Sequence, residues 1–342
     1  MFVKRIAALA AVSAIALSAC SGSSAPTDAD CAKAEVLCVG LVTDTGKVDD
    51  KSFNQSAWEG AKAAADALGG LSKYIETLDT KDYAANIKQF TDKKYDVIVT
   101  VGFLMADATV AAAQANPDTK FIGVDQFQAT TVDNLTGLVW NEDQAGYAAG
   151  YLAGLLTKSN KIGQVLGLEI PPVQRYAKGF EAGALAANSG VSVTTVYHPA
   201  GDAPFNDPEW GAAEADKQLA QGADVIFGAG GNTGNGALRE IAKQAGAGTS
   251  IYCIGVDTDQ WGTVPEAQPC LVTSAEKLIS DGVTELVNAA KDGTIAGGNY
   301  TGKTGLAPFH DFDSKLSADI KDKVATVVAG LADGSIATGV KL

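Results

Sequence analysis

The sequence predicts an α/β protein of two similar lobes, each a parallel sheet flanked by helices, with a ligand cleft between them. Three observations predict it. Short apolar, β-branched runs alternate with Ala-rich helical patterns, the order that buries parallel strands between layers of helices. Local sequence also recurs: Ile122-Gly123-Val124-Asp125 returns as Ile254-Gly255-Val256-Asp257, and Asp96-Val97-Ile98 as Asp224-Val225-Ile226. A repeat this long is not a solenoid unit and reads as duplicated lobes. Finally, each repeated Asp falls just past the carboxyl end of its strand, the edge where open α/β sheets bind ligands. Two such edges facing each other across a hinge form a cleft that can close.

The elements follow in order. Residues 1–19 have the form of a secretory leader. Lys4 and Arg5 precede an apolar run, Ile6 to Leu17, broken only by Ser13, and small residues end it. The run is too short to span a bilayer stably. Leu17-Ser18-Ala19-Cys20 resembles the bacterial lipobox, which implies cleavage before Cys20, a lipid on its sulfur and a place on the extracytoplasmic face of the cell membrane. Two or three acyl chains hold a protein there durably. The small, polar stretch after Cys20 reads as a flexible tether within residues 20–34.

In the first lobe, strands are expected at 36–43, 97–101 and 121–124, and helices at 52–68 and 106–115. In the second, strands are expected at 161–166, 224–228 and 251–256, and helices at 173–187 and 236–245. The division expected is 35–156 plus 256–298 for one lobe and 157–255 plus 299–342 for the other.

Composition excludes several functions. The formal charge of −14 suits neither nucleic-acid backbone nor anionic lipid surface. Arginine occurs only at 5, 175 and 239, which disfavours a highly phosphorylated ligand. Four cysteines besides Cys20 permit three disulfide pairings outside the cytoplasm; Cys31–Cys38 and Cys253–Cys270 close the shortest loops and are favoured. No metal site is expected, since CxxC is absent and His198 and His310 stand alone. Nor is an enzyme or a cofactor. GAGGNTGNG at 228–236 misses the third Gly of a dinucleotide fingerprint, and no P-loop, GxSxG or HExxH occurs.

The segment DTGKVDDKSFNQSAWEG at 44–60 resembles the signature of the basic membrane protein family of lipoproteins, the substrate-binding subunits of ABC-type nucleoside importers. The likeness continues through Gly102-Phe103 with Met105, Gly123–Gln126, Phe205–Pro208, the Gly-rich stretch 228–236, Gly255–Gln260 and Thr273-Ser274 with Lys277. It implies the type I periplasmic-binding-protein fold, a monomer docking on ABC permease subunits, and a purine base held between two aromatic rings at Phe53 and Phe205. Aromatic stacking supplies area without demanding one base. Asp44 then accepts from base N–H donors, and Asn54 offers a donor and an acceptor. Asp257 takes ribose hydroxyls, Lys277 reaches the sugar, Gly230 and Gly231 allow close backbone approach, and Asp125 braces the site. A sugar, a flavin or a signal molecule is the alternative ligand for the same fold. The segment 167–176 carries a double Pro where the family has a Gly-rich or single-Pro turn, so no contact is assigned to it.

Overall fold

The computed structural model describes residues 25–201 and 203–342. The leader and Cys20 lie outside the described residues. In chain order the first sheet and its helices comprise β1 (Cys38–Val42), α1 (Phe53–Ala67), β2 (Leu71–Ile75), α2 (Tyr83–Thr91), β3 (Val97–Val101), α3 (Ala106–Ala115), β4 (Lys120–Val124) and β5 (Leu135–Val139). The chain then builds α4 (Glu142–Leu156), β6 (Lys161–Leu166), α5 (Pro171–Ala187), β7 (Ser192–Tyr197), α6 (Pro208–Ala220), β8 (Val225–Ala229), α7 (Gly231–Ala242), β9 (Tyr252–Asp257), α8 (Gln260–Thr263) and β10 (Leu271–Lys277). It closes with α9 (Ile279–Lys291), β11 (Gly298–Thr301), β12 (Thr304–Leu306) and α10 (Ala318–Ala332).

Two six-stranded sheets result, ordered β11-β5-β4-β3-β1-β2 and β12-β10-β9-β8-β6-β7. The first is parallel throughout; in the second, the edge strand β12 runs antiparallel to β10. Alternate side chains of each strand serve opposite faces, as the pleat requires. Val39, Leu41, Val97 and Val99 pack under α1 and α9, while Cys38, Val42, Ile98 and Phe121 pack under α2 and α3. The second sheet is covered in the same way by α4 and α5 on one face and α6 and α7 on the other.

The expected division of the chain needs correcting in three places. Strand β11 pairs with β5, so residues 299–301 belong with the first sheet, not the second. Strand β9 pairs with β8 and β10, so residues 256–277 belong with the second sheet, not the first. Helix α4 packs on α5, β10 and β12 and goes with them. Its face carries Gly146, Gly150 and Gly154, and a Cβ on Gly150 would lie 1.9 Å from the Phe180 carbonyl oxygen. Any side chain there forces the helices apart. The chain passes between lobes three times, at 140–141, at Leu278 and at 302–303. These passages lie side by side: the Leu278 amide donates to the Lys303 carbonyl (2.9 Å) and the Gly302 amide to the Val139 carbonyl (2.8 Å).

Helix α7 also begins earlier than its Gly-rich sequence suggests, at Gly231. The glycines serve packing rather than a loop, since a Cβ on Gly236 would lie 2.0 Å from the Pro208 carbonyl oxygen. Cys31 is joined to Cys38 and Cys253 to Cys270, the second bond tying β9 to the turn that precedes β10.

Candidate functional site

The carboxyl ends of both sheets converge on one cavity between the lobes. Its wall takes Asp44, Phe53 and Asp125 from the first lobe, and Phe205, Gly230, Gly231, Asp257 and Lys277 from the second. Eight of the nine residues expected at the site therefore meet there. The ninth, Asn54, stands behind the wall: its side-chain amide donates to Asp44 Oδ1 (3.4 Å), and its own oxygen has no partner among the described residues.

Helix α1 aims Phe53 into the cleft, and the sequence around it works differently from a simple Ser cap. Asp50 supplies the cap, its carboxylate accepting from the Ser52, Asn54 and Gln55 amides (3.0, 2.9 and 3.1 Å). This serves the free donors of a helix start. Ser52 is left to donate from its hydroxyl to Asp257 Oδ2 across the cleft (2.7 Å). Neighbouring bonds also join the lobes. Asn235 donates to the Asp50 carbonyl (2.7 Å), and Thr263 and Gln260 to the Lys51 carbonyl (2.8 and 3.4 Å). The lobes are in contact, and the cavity lies between them.

Asp125 directly follows β4 and Asp257 ends β9, both with positive φ, 61° and 66°. The duplicated Gly-Val-Asp thus turns the same way in both lobes and aims a carboxylate inward. Lys277, the last residue of β10, sits among them. Its Nζ lies 2.7 and 2.9 Å from the Asp125 carboxylate and 3.4 Å from Glu142. Burial alone would lower its pKa; Asp125, Glu142 and Asp257 outweigh burial and hold it above the usual lysine range. The ammonium also lies 5.2 Å from the Phe53 ring centroid and 5.5 Å from that of Tyr176, within cation–π range.

Asp44 has no such cation. Burial pushes its carboxyl up to about 7, Asn54 opposes the rise and Asp125 adds to it. A carboxyl raised in the folded state contributes stability that is present below its unfolded pKa, near 3.8, and is lost as pH rises through about 7. The ligand-free protein should therefore be more stable near pH 5 than at pH 8. The share due to Asp44 is at least about 1 kcal/mol, one pKa unit being worth about 1.4 kcal/mol. Urea midpoints at the two pH values, compared with Asp44→Asn, measure that share; an unchanged difference in the variant removes Asp44 as its source.

Sequence reasoning missed one wall of the cavity. Ile170, Pro172, Val173 and Tyr176, from the double-Pro segment and the start of α5, line it, although no contact was assigned there. The Tyr176 hydroxyl donates to the Ala275 carbonyl (3.2 Å), which fixes the ring against the sheet. Glu142 was missed as well. Its buried position follows from the path of the chain between lobes, which no local motif marks. Among the described residues no cluster of side chains has the makings of a metal site.

Comparison with known proteins accords with this geometry. The profile of the family described as "ABC transporter substrate-binding protein PnrA-like" matches residues 38–307. The chain is 32% identical to the CD4+ T-cell-stimulating antigen of Listeria monocytogenes, over 95% of this chain and 94% of that protein. It is 30% identical to the ABC transporter nucleoside-binding protein BmpA of Lactococcus lactis subsp. cremoris, over 97% of each. Among solved structures, an ABC transporter solute-binding protein of Aeropyrum pernix K1 superposes with a TM-score of 0.79 at 23% identity, covering 88% of this chain and 92% of that one. At that identity the likeness speaks for the fold.

Proposed function

We propose, for a chain that belongs to the PnrA-like family of ABC transporter substrate-binding proteins, that its ligand is a nucleoside held in the cavity between the lobes. The family is one of binding subunits, not of enzymes. The observation that carries the nucleoside is the cavity wall itself: a phenylalanine from each lobe, with buried carboxylates and a lysine beside them. Phe53 and Phe205 offer faces for a flat base. Asp44 accepts a base N–H, and Asp257 and Lys277 serve the ribose hydroxyls. The relative named as a nucleoside-binding protein supports the same ligand. Carboxylates outnumber the one buried ammonium in this wall, which sets it against phosphate esters.

Delivery to permease subunits follows from this role, and a lipid on Cys20 would keep a monomeric receptor near them. A tether raises the effective concentration of docking without any new contact. No helix among the described residues is long and apolar enough to cross a membrane.

Calorimetric titration with inosine, guanosine, adenosine and cytidine, against ribose and riboflavin, tests the reading. At least one nucleoside is expected to bind and to outcompete ribose; silence towards all four overturns the ligand. A base N–H on Asp44 favours its ionised form, so binding below about pH 7 should release a proton. Binding enthalpies in buffers of different ionisation enthalpy read that proton, and Asp44→Asn should abolish its release.

A further inference from the structure

Phe205 does not hold itself over the cavity. Its segment turns through the Asn206 amide, which donates to the Ala203 carbonyl (2.9 Å). The Asp207 amide donates to Thr233 Oγ1 (2.9 Å), and Asn232 to Asn206 Oδ1 (2.9 Å). The ring itself lies on Gly167, where a Cβ would come within 2.3 Å of it. Those contacts tie the segment to α7 and to the end of β6. Among the described residues, His198 ties it to the end of β7, the strand it leaves.

His198 is buried, and the edge of its ring meets Trp210, with centroids 4.6 Å apart. Nδ1 lies 2.7 Å from the Pro199 carbonyl oxygen, and Nε2 lies 3.3 Å from Asp207 Oδ2. Both partners only accept hydrogen bonds. A neutral imidazole has one N–H and can satisfy one of them; an imidazolium has two and satisfies both. Asp207 is the joint of the arrangement. Its other oxygen accepts from the Trp210 amide (3.0 Å) and caps α6. One carboxylate therefore fixes both the helix after Phe205 and the strand before it.

We infer that protonated His198 is a positioning residue that holds the Phe205 segment in place over the cavity, so that the segment tightens when the imidazole gains a proton and loosens when it loses one. The inference rests on the nucleoside reading only for its effect on affinity. Asp207 is the charged group that bonds to the ring among the described residues. From the end of β6, the carbonyls of Leu166 and Gly167 accept the His198 amide (3.0 and 3.1 Å), and from α6 the indole of Trp210 packs at a steep angle to the ring. The Asp207 carboxyl is held below the usual range, first by the Trp210 amide and then by His198. The protonation state of the ring therefore decides whether one acceptor or both are served.

The ligand-free mature chain provides the test. Amide protection factors at Phe205, Asn206 and Asp207 are measured at pH 5.5 and pH 8, with the His198 ring nitrogens followed by NMR. In the unaltered protein, protection should fall by about threefold to tenfold as the ring loses its proton, the scale of one net hydrogen bond. His198→Gln keeps a donor for Asp207 that does not titrate, so its protection should be flat. His198→Phe keeps the ring edge against Trp210 but has no donor, and its protection should be low at both pH values. Equal protection at both pH values in the unaltered protein overturns the inference. So does a drop in His198→Gln as large as the original one. Nucleoside titrations run alongside answer a separate question. Affinity that weakens with rising pH more in the unaltered protein than in His198→Gln extends the effect to the ligand. Absence of nucleoside binding defeats the ligand assignment, while the protection factors still decide the role of His198.

Discussion

Lys277→Met should lower the unfolding free energy by about 3–5 kcal/mol, the usual cost of stranding buried charges by removing their partner. The lysine is 3% exposed and cannot move its ammonium to water. Its removal leaves Asp125 and Glu142, both buried, facing each other with Asp257 nearby. Met keeps the length and apolar body of the side chain, so the loss reports charge rather than volume. The carboxylates left behind would then prefer protons when folded. Stability of the variant should fall more steeply from pH 5 to pH 8 than that of the unaltered protein, because a raised carboxyl stabilises only while it stays protonated. Urea unfolding at the two pH values measures both effects. Adding Asp125→Asn should recover part of the loss, as a coupled pair does in a double-mutant cycle. A loss below about 1 kcal/mol, or no recovery in the double variant, would falsify the idea that Lys277 neutralises this cluster.

The same cluster shows what could be read in the sequence and what could not. The duplicated Gly-Val-Asp placed Asp125 and Asp257 at strand ends, because a strand's limits and the residue that follows it are local properties. The place of Phe53 on the first turn of a helix after a polar loop was legible for a similar reason, but its expected part at the ligand came from the family resemblance. Glu142 was not. It is acidic, near a helix start, and would be assigned to the helix dipole on sequence grounds. Only the passage of the chain from β5 into α4 brings it beside Lys277. The division of the lobes failed at the same point. Strand β10 and helix α9 are adjacent in sequence, yet the chain changes lobes between them, at Leu278. Hydrophobic periodicity describes each element but not the sheet it joins. The double-Pro segment was misjudged because Pro marks a turn and a helix start; that the turn faces the cavity depends on where β6 ends in space. The glycines at 231–236 signalled a loop, and close helix packing was the competing demand that prevailed.

Phe205→Ala should weaken nucleoside binding by about 1–3 kcal/mol, the range found when one stacking ring is removed, or roughly fivefold to 150-fold in Kd. The ring comes from the second lobe and Phe53 from the first. Each alone can cover one side of a base, but both together require the lobes to meet. Ser52 with Asp257, Asn235 with Asp50 and Thr263 with Lys51 join the lobes around the cavity. These contacts hold the lobes together without Phe205, so losing the ring should raise the dissociation rate more than it slows association. Phe53→Ala should cost a similar amount. If the two rings hold one base, the double variant should lose less than the two single losses combined, since a base freed on one face has less to lose on the other. Calorimetry on the four proteins measures the coupling, with the far-ultraviolet spectrum and unfolding midpoint as controls for folding. Strictly additive losses would place the rings on different parts of the ligand, and a Phe205→Ala protein that binds as well as the original would remove the aromatic pair from the mechanism. The double variant also separates stacking from hydrogen bonding: proton release on binding depends on Asp44 and should persist in every Phe variant that still binds.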